Sequence, residues 1–194
     1  MSDRLNPDHL SLASRVGLPA DWLYLRDQYP RARWGEPTLH PTAAHWLQMH
    51  AGFRSHGAHM TALTDAFRAD PSNPRGLHQA LIPALQAFLQ HLDGHHRIES
   101  GHYFPVFRQL EPRICDGIDL LDRDHDAVHA HLEAMFVKGR DFHAAVAAGS
   151  PDARDAGLRL ADILDAALPP LVRHLDDEED IVIPLLALKG HGVG

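Results

Sequence analysis

The sequence predicts an all-α protein, an antiparallel up-down four-helix bundle preceded by an irregular N-terminal extension. Three observations lead there. Four long segments carry apolar residues at helical spacing, with short breaks between them. Alternating β-branched runs bounded by turns are missing. The second pair of segments repeats the motif spacing of the first.

The extension, residues 1–38, is punctuated by Pro7, Pro19, Pro30 and Pro37. Within it, Ala20 to Gln28 reads as one short helix with Trp22, Tyr24 and Leu25 on its apolar side, so the segment is expected to pack on the bundle as a cap. The bundle itself is expected over 39–189. Helix A spans 41–69 and stops at Asp70-Pro71-Ser72-Asn73-Pro74-Arg75-Gly76. Helix B spans 77–110, with Glu111-Pro112 at its end. Helix C spans 117–148 before Gly149-Ser150-Pro151, and helix D spans 152–189. Residues 190–194 read as a flexible tail. Short connections between long helices favour antiparallel neighbours. Pro83, Pro105, Pro169, Pro170 and Pro184 fall inside or near the ends of B and D, where kinks or altered hydrogen bonding are expected.

Composition narrows the function. A chain of 194 residues can bury one real core. No apolar run is long enough to span a membrane, and no apolar signal core follows the N-terminus, so the cytoplasm is the expected compartment. The single cysteine, Cys115, rules out an intramolecular disulfide framework. A net charge of −8 argues against nucleic acid, whose phosphates need a basic footprint. Histidine is the outlier, at 17 residues against 7 phenylalanines, and the histidines do not form one run. Histidine is the commonest metal ligand among side chains.

Two motifs organise these histidines. His95-xxx-Glu99 is followed by Phe104-Pro105, and His174-xxx-Glu178 by Ile183-Pro184, so proline follows the glutamate by six residues in both. The motifs are 79 residues apart, and His50 and His125, in helices A and C, are 75 apart. A–B and C–D therefore read as two copies of one helical hairpin. Residues i and i+4 share a helix face, so each His/Glu pair projects one nitrogen and one carboxylate the same way. That donor set suits iron, manganese or zinc. One such pair alone is more often a solvated surface pair; the duplication favours metal ligation. His96 and Glu179 compete with His95 and Glu178. The repeat favours His95 and Glu178, because His96 aligns with Leu175 and Glu179 with Ser100.

At about 100° per residue, Trp46, Phe53, Arg54, Gly57 and Met60 lie within about 60° of His50, an apolar face that turns His50 inward. His45, His56 and His59 point elsewhere. On helix C, Leu121, His125, Val128, Leu132 and Phe136 share a face, which makes His125 the preferred ligand. His129 lies about 40° away and is a candidate additional ligand. His131 and His143 read as surface residues. His91, His102, Tyr103 and Arg54 are candidates for supporting hydrogen bonds or for lining a small-molecule pocket, and equally for plain packing.

These residues resemble the hemerythrin-like, HHE cation-binding family, with its H…HxxxE…H…HxxxE pattern over roughly residues 40 to 188. His50 in Trp46-Leu47-Gln48-Met49-His50 looks like the first histidine, and His95 and Glu99 with Phe104-Pro105 like the second motif. His125 in Asp124-His125 looks like the third, and His174 and Glu178 like the fourth. The resemblance implies two non-haem irons with a bridging oxo or hydroxo group. Glu99 and Glu178 would bridge them, His50 and His95 would bind one, and His125 and His174 the other. Oxygen carriers of the family add a histidine four residues after the third, which His129 matches. They end in HxxxxD where this chain has HxxxE, which points away from simple reversible oxygen carriage. The expected function is binding of, or reaction with, a small oxidant: O2, peroxide or nitric oxide. Turnover would make it a peroxide- or nitric-oxide-processing oxidoreductase. The alternative is an iron or oxygen sensor or carrier without turnover, and a bundle with incidental histidines is the least favoured reading.

Overall fold

The computed structural model describes residues 10–191 and 193; residues 1–9 of the expected extension and Gly192 and Gly194 of the expected tail lie outside the described residues. Among the described residues the fold is entirely helical. A 3-10 turn, Ala20–Leu23, runs into α1 (Tyr24–Gln28), followed by a 3-10 turn at Arg31–Arg33. Then come α2 (Pro41–Ala69), α3 (Pro74–Ile98), a π turn (Glu99–Tyr103), α4 (Phe104–Leu110), a 3-10 turn (Pro112–Ile114), α5 (Cys115–Ala147) and α6 (Ala153–Lys189). None of these helices is long and apolar enough to cross a membrane.

The helix ends follow local chemistry. Pro41 and Pro74 begin α2 and α3, where the missing N–H costs nothing. Asn73 caps α3 by accepting the Gly76 N–H at 2.9 Å. At the end of α5, Gly149 takes φ 61°. The N–H of Ser150 then reaches the Ala145 carbonyl and that of Gly149 the Val146 carbonyl, which satisfies the last turn.

The expected helix B is interrupted. Buried positions on α3 step by three or four residues from Leu77 through Leu81, Leu85, Phe88, Leu92 and His96 to Glu99, then by five to Phe104. The extra residue is absorbed by the π turn, where the Phe104 N–H bonds the Glu99 carbonyl, five residues back. Pro105 lacks the N–H that would otherwise serve Gly101, which suits the insertion. Proline alone does not force it: Pro184 stands at the matching place in α6, which stays α-helical.

The chain divides into two compact units, and the long helices run from one into the other. The first comprises residues 1–51, 97–127 and 170–194. Its core gathers Leu23 and Leu25 from the N-terminal segment, Trp46, Phe104 and Phe107, Ile118 and Leu121, and the run Ile181 to Ile183 with Leu185 and Leu186. The N-terminal segment is also tied down by charge: Arg26 and Arg31 both donate to Asp180, at 2.7 and 2.8 Å. The second unit, residues 52–96 and 128–169, buries Phe53, Met60, Leu81, Phe88, Met135, Phe142 and Leu160. Helices approach closely there: a Cβ on Gly139 would stand 2.7 Å from Leu85, and one on Gly157 would stand 2.9 Å from Phe67.

Burial along α2 and α5 follows a seven-residue repeat. On α2 it runs through Ala43, Trp46, His50, Phe53, Gly57, Met60, Thr64 and Phe67. On α5 it runs through Leu121, His125, Val128, Leu132, Met135, Gly139 and Phe142. A seam of period 3.5 drifts about 20° per heptad against a straight helix of period 3.6. The expectation that Phe136 shares the His125 face fails for this reason: Met135 takes the seam, and Phe136 is 58% exposed. Met135→Ala should therefore lower the urea unfolding free energy by about 2–5 kcal/mol. Phe136→Ala should change it by about 0.5 kcal/mol. The reverse order would place the seam on Phe136.

Candidate metal centre

Two buried glutamates belong to the first unit. Glu99 opens the π turn and is 1% exposed; Glu178, from the middle of α6, is 0% exposed. Burial pushes Glu99 up to about 8, a shift that the neighbouring Glu178 only partly opposes. The Trp46 indole N–H donates to Glu178 Oε1 at 2.6 Å and fixes that carboxylate. Tyr103, half-buried, packs edge-on against Trp46 with ring centroids 4.9 Å apart.

Three histidines face this pair through Nε2. His50 Nε2 is 3.8 Å from Glu178 Oε1, and His174 Nε2 is 3.4 Å from Glu178 Oε2. His125 Nε2 is 3.5 Å from Glu99 Oε2. The ligand atoms of His50, Glu99 and Glu178 lie within 4.8 Å of one another, as do those of His125 and His174.

The opposite nitrogen of each ring is held from behind. His50 Nδ1 is 3.0 Å from Glu179 Oε1, and His174 Nδ1 is 3.4 Å from Asp124 Oδ2. A carboxylate only accepts, so Nδ1 carries the proton in both rings. His125 Nδ1 is 2.9 Å from Ser100 Oγ, whose own hydrogen goes to Asp122 Oδ1 at 2.6 Å. Ser100 therefore accepts from His125. All three rings are set in the same tautomer, with the Nε2 lone pair aimed at the glutamates. The internal repeat reaches this layer too, since Glu179 and Ser100 each follow a central glutamate and each orients the histidine of the opposite hairpin.

Asp124 is anchored in turn. Burial opposes its ionisation, but hydrogen bonds from His174 and Arg15 and the charge of Arg15 hold it below the usual carboxylate range. Asp122 is also held low: burial opposes ionisation, while Ser100 and Arg108 outweigh it.

Of the residues singled out in the sequence, His50, Glu99, His125, His174 and Glu178 come together here. His95, half-buried, and His96, buried, occupy the α3 turn that leads into Glu99 and belong by packing to the second unit. The His95 ring lies 5.1 Å from that of Phe53. His129 is not at this site: its side chain is 66% exposed and its Nδ1 is 3.6 Å from Asp93. The α5 seam steps from His125 to Val128 and then Leu132, which leaves position 129 outside. His91 and His102 are exposed, and Arg54 is half-buried. Trp46, Ser100, Asp124 and Glu179 were not anticipated in these roles. The aligned Ser100/Glu179 pair was the signal available for two of them.

A cation fits this donor set. Neutral imidazole nitrogens with two carboxylates form a mixed N/O group suited to divalent iron, manganese or zinc. The Nε2 nitrogens stand 3.4 to 3.8 Å from the carboxylate oxygens they face. Two ligands of one ion stand about that far apart when each is roughly 2.0–2.2 Å from it. Cation charge would also relieve the enforced protonation of Glu99.

An all-helical chain whose buried core carries histidines and carboxylates defines a cation-binding helical protein. The hemerythrin HHE cation binding domain family matches residues 41–186, and the chain belongs to that family. No curated protein and no solved structure matches it.

Cation-free protein should lose stability as pH rises. The folded Glu99 keeps its proton to about pH 8, whereas unfolded chain releases it near 4.5, so the folded state binds more protons in between. Urea unfolding midpoints of cation-free protein should fall from pH 5 to pH 8, and Glu99→Gln should flatten that slope. A wild-type profile no steeper than that of the variant would contradict the assignment.

Proposed function

We propose that the chain is a non-haem di-iron protein that binds or reacts with a small oxidant: O2, peroxide or nitric oxide. One observation carries the reading. The two oxygens of Glu178 face histidines from different helices, His50 on one side and His174 on the other, as a carboxylate spanning two ions must. Glu99 Oε2 in turn lies 3.5 Å from His125 Nε2.

On this reading the family pattern assigns His50 and His95 to one ion and His125 and His174 to the other. Helix continuity supports the place of His95, which stands four residues before Glu99 in one helical stretch. The long helices are read as the antiparallel four-helix bundle of the family. Two irons, with an oxo or hydroxo group between them, would supply two electrons' worth of redox capacity and an open position for a diatomic or peroxide. The chain's own part is to hold the carboxylates and imidazoles in place. Trp46 restrains the Glu178 oxygen that faces His50, and the Nδ1 partners keep each imidazole neutral and aimed inward.

Elemental analysis should find about two metals per chain. His95→Ala, Glu99→Ala, His174→Ala and Glu178→Ala should each reduce that number, while the exposed His59→Ala and His143→Ala leave it unchanged. Unaltered metal content in all four buried-site variants would refute the site. The visible absorption of anaerobically reduced protein, followed as oxygen is admitted and removed, then separates the two modes. A band that forms without reversing supports reaction with the oxidant; a fully reversible band supports a carrier or sensor without turnover.

A further inference from the structure

Three histidines of the centre are oriented from behind, but only one of those supports depends on the N-terminal segment through a buried charge. Arg15 is 6% exposed although it lies in an irregular stretch ahead of α1. Its guanidinium forks onto Asp124: Nη1 donates to Oδ1 at 2.9 Å, and Nη2 to Oδ2. Its Nε donates to Asp177 Oδ2 at 2.8 Å, and Nη1 also reaches the Leu10 carbonyl at 3.1 Å. Asp124 Oδ2, one of the two oxygens so held, is the atom facing His174 Nδ1. The path from the extension to the centre is thus Arg15, Asp124, His174, with no gap longer than 3.4 Å.

We propose that Arg15 is a positioning residue for the metal centre, acting through Asp124 on His174, so that docking of the N-terminal segment tunes cation affinity at the His174 side. The inference rests on the metal-centre reading above. Its physical basis is twofold. The planar fork fixes both Asp124 oxygens at once, which a point charge cannot do. An imidazole whose supporting carboxylate can rotate loses orientation at Nε2, and such supports typically change metal affinity 10- to 100-fold. The other supports lack this link. Glu179 meets Arg31 only at 3.9 Å with Arg31 about half-exposed, and Ser100 is held by Asp122, which Arg108 of α4 holds.

The test is a cobalt(II) titration of metal-stripped full-length protein, read by the visible ligand-field bands, with thermal midpoints recorded in parallel. Wild type should take up two cobalt ions. Arg15→Gln should weaken one of the two steps at least tenfold and shift its band, leaving the other step near wild type. The variant Arg26→Ala removes a bond from the same segment to Asp180 without touching Asp124, and should leave both steps unchanged. Wild-type affinities and bands in Arg15→Gln, with only a lowered thermal midpoint, would overturn the proposal and leave the metal centre standing. Equal weakening in Arg26→Ala would also overturn it, because docking in general, rather than Arg15, would then be responsible. Failure of wild type to bind two cobalt ions would remove the metal-centre reading and this inference with it. Where Arg15→Gln does not fold, Arg15→Lys decides: lysine keeps the charge without the fork, so one step should still weaken, and unchanged affinity would overturn the proposal.

Discussion

Burying two carboxyl groups side by side is the constraint around which the first unit is arranged. Glu99 and Glu178 have almost no solvent, and each carboxylate taken from water carries a large desolvation cost. Without a cation, burial pushes Glu99 up to about 8, where it keeps its proton at neutral pH. A core built for stability alone would place apolar residues at these positions. Retention of two acids, ringed by imidazoles already in the ligating tautomer, makes sense when cation charge replaces the proton.

The same constraint explains the layers around the pair. Trp46 donates to one carboxylate, and behind the histidines stand Glu179, Asp124 and Ser100. Behind those lie Arg15 and, through Asp122, Arg108. Each layer answers a polar group that the previous layer leaves facing the interior. The outermost cations reach the surface or the N-terminal segment, where their charge is less costly. The extension is therefore part of the machinery that orders the site.

Some of this was legible in the sequence. The duplicated His-xxx-Glu motif located both glutamates and His174, because i and i+4 share a face whatever the helix packs against. Apolar neighbours turned His50 and His125 inward. The four long helices and most of their ends followed from proline, glycine and asparagine chemistry. What misled was phase over distance. A period of 3.6 carried across eleven residues put Phe136 on the buried face and left His129 in contention, whereas the buried seam holds to 3.5 and chooses Met135 and Val128. The π turn was hidden for a related reason: Pro105 and Pro184 occupy matching places, yet only the first hairpin inserts a residue.

The sequence by itself determined the helical class, the repeat and which histidines and glutamates turn inward, because these depend on local spacing along one helix. Only the tertiary structure decided which side chain stands behind which. Glu179 lies 129 positions from His50, Asp124 lies 50 from His174, and Arg15 lies 109 from Asp124. Such pairings arise when helices and the N-terminal segment close on one core, and no periodicity within a single element encodes them.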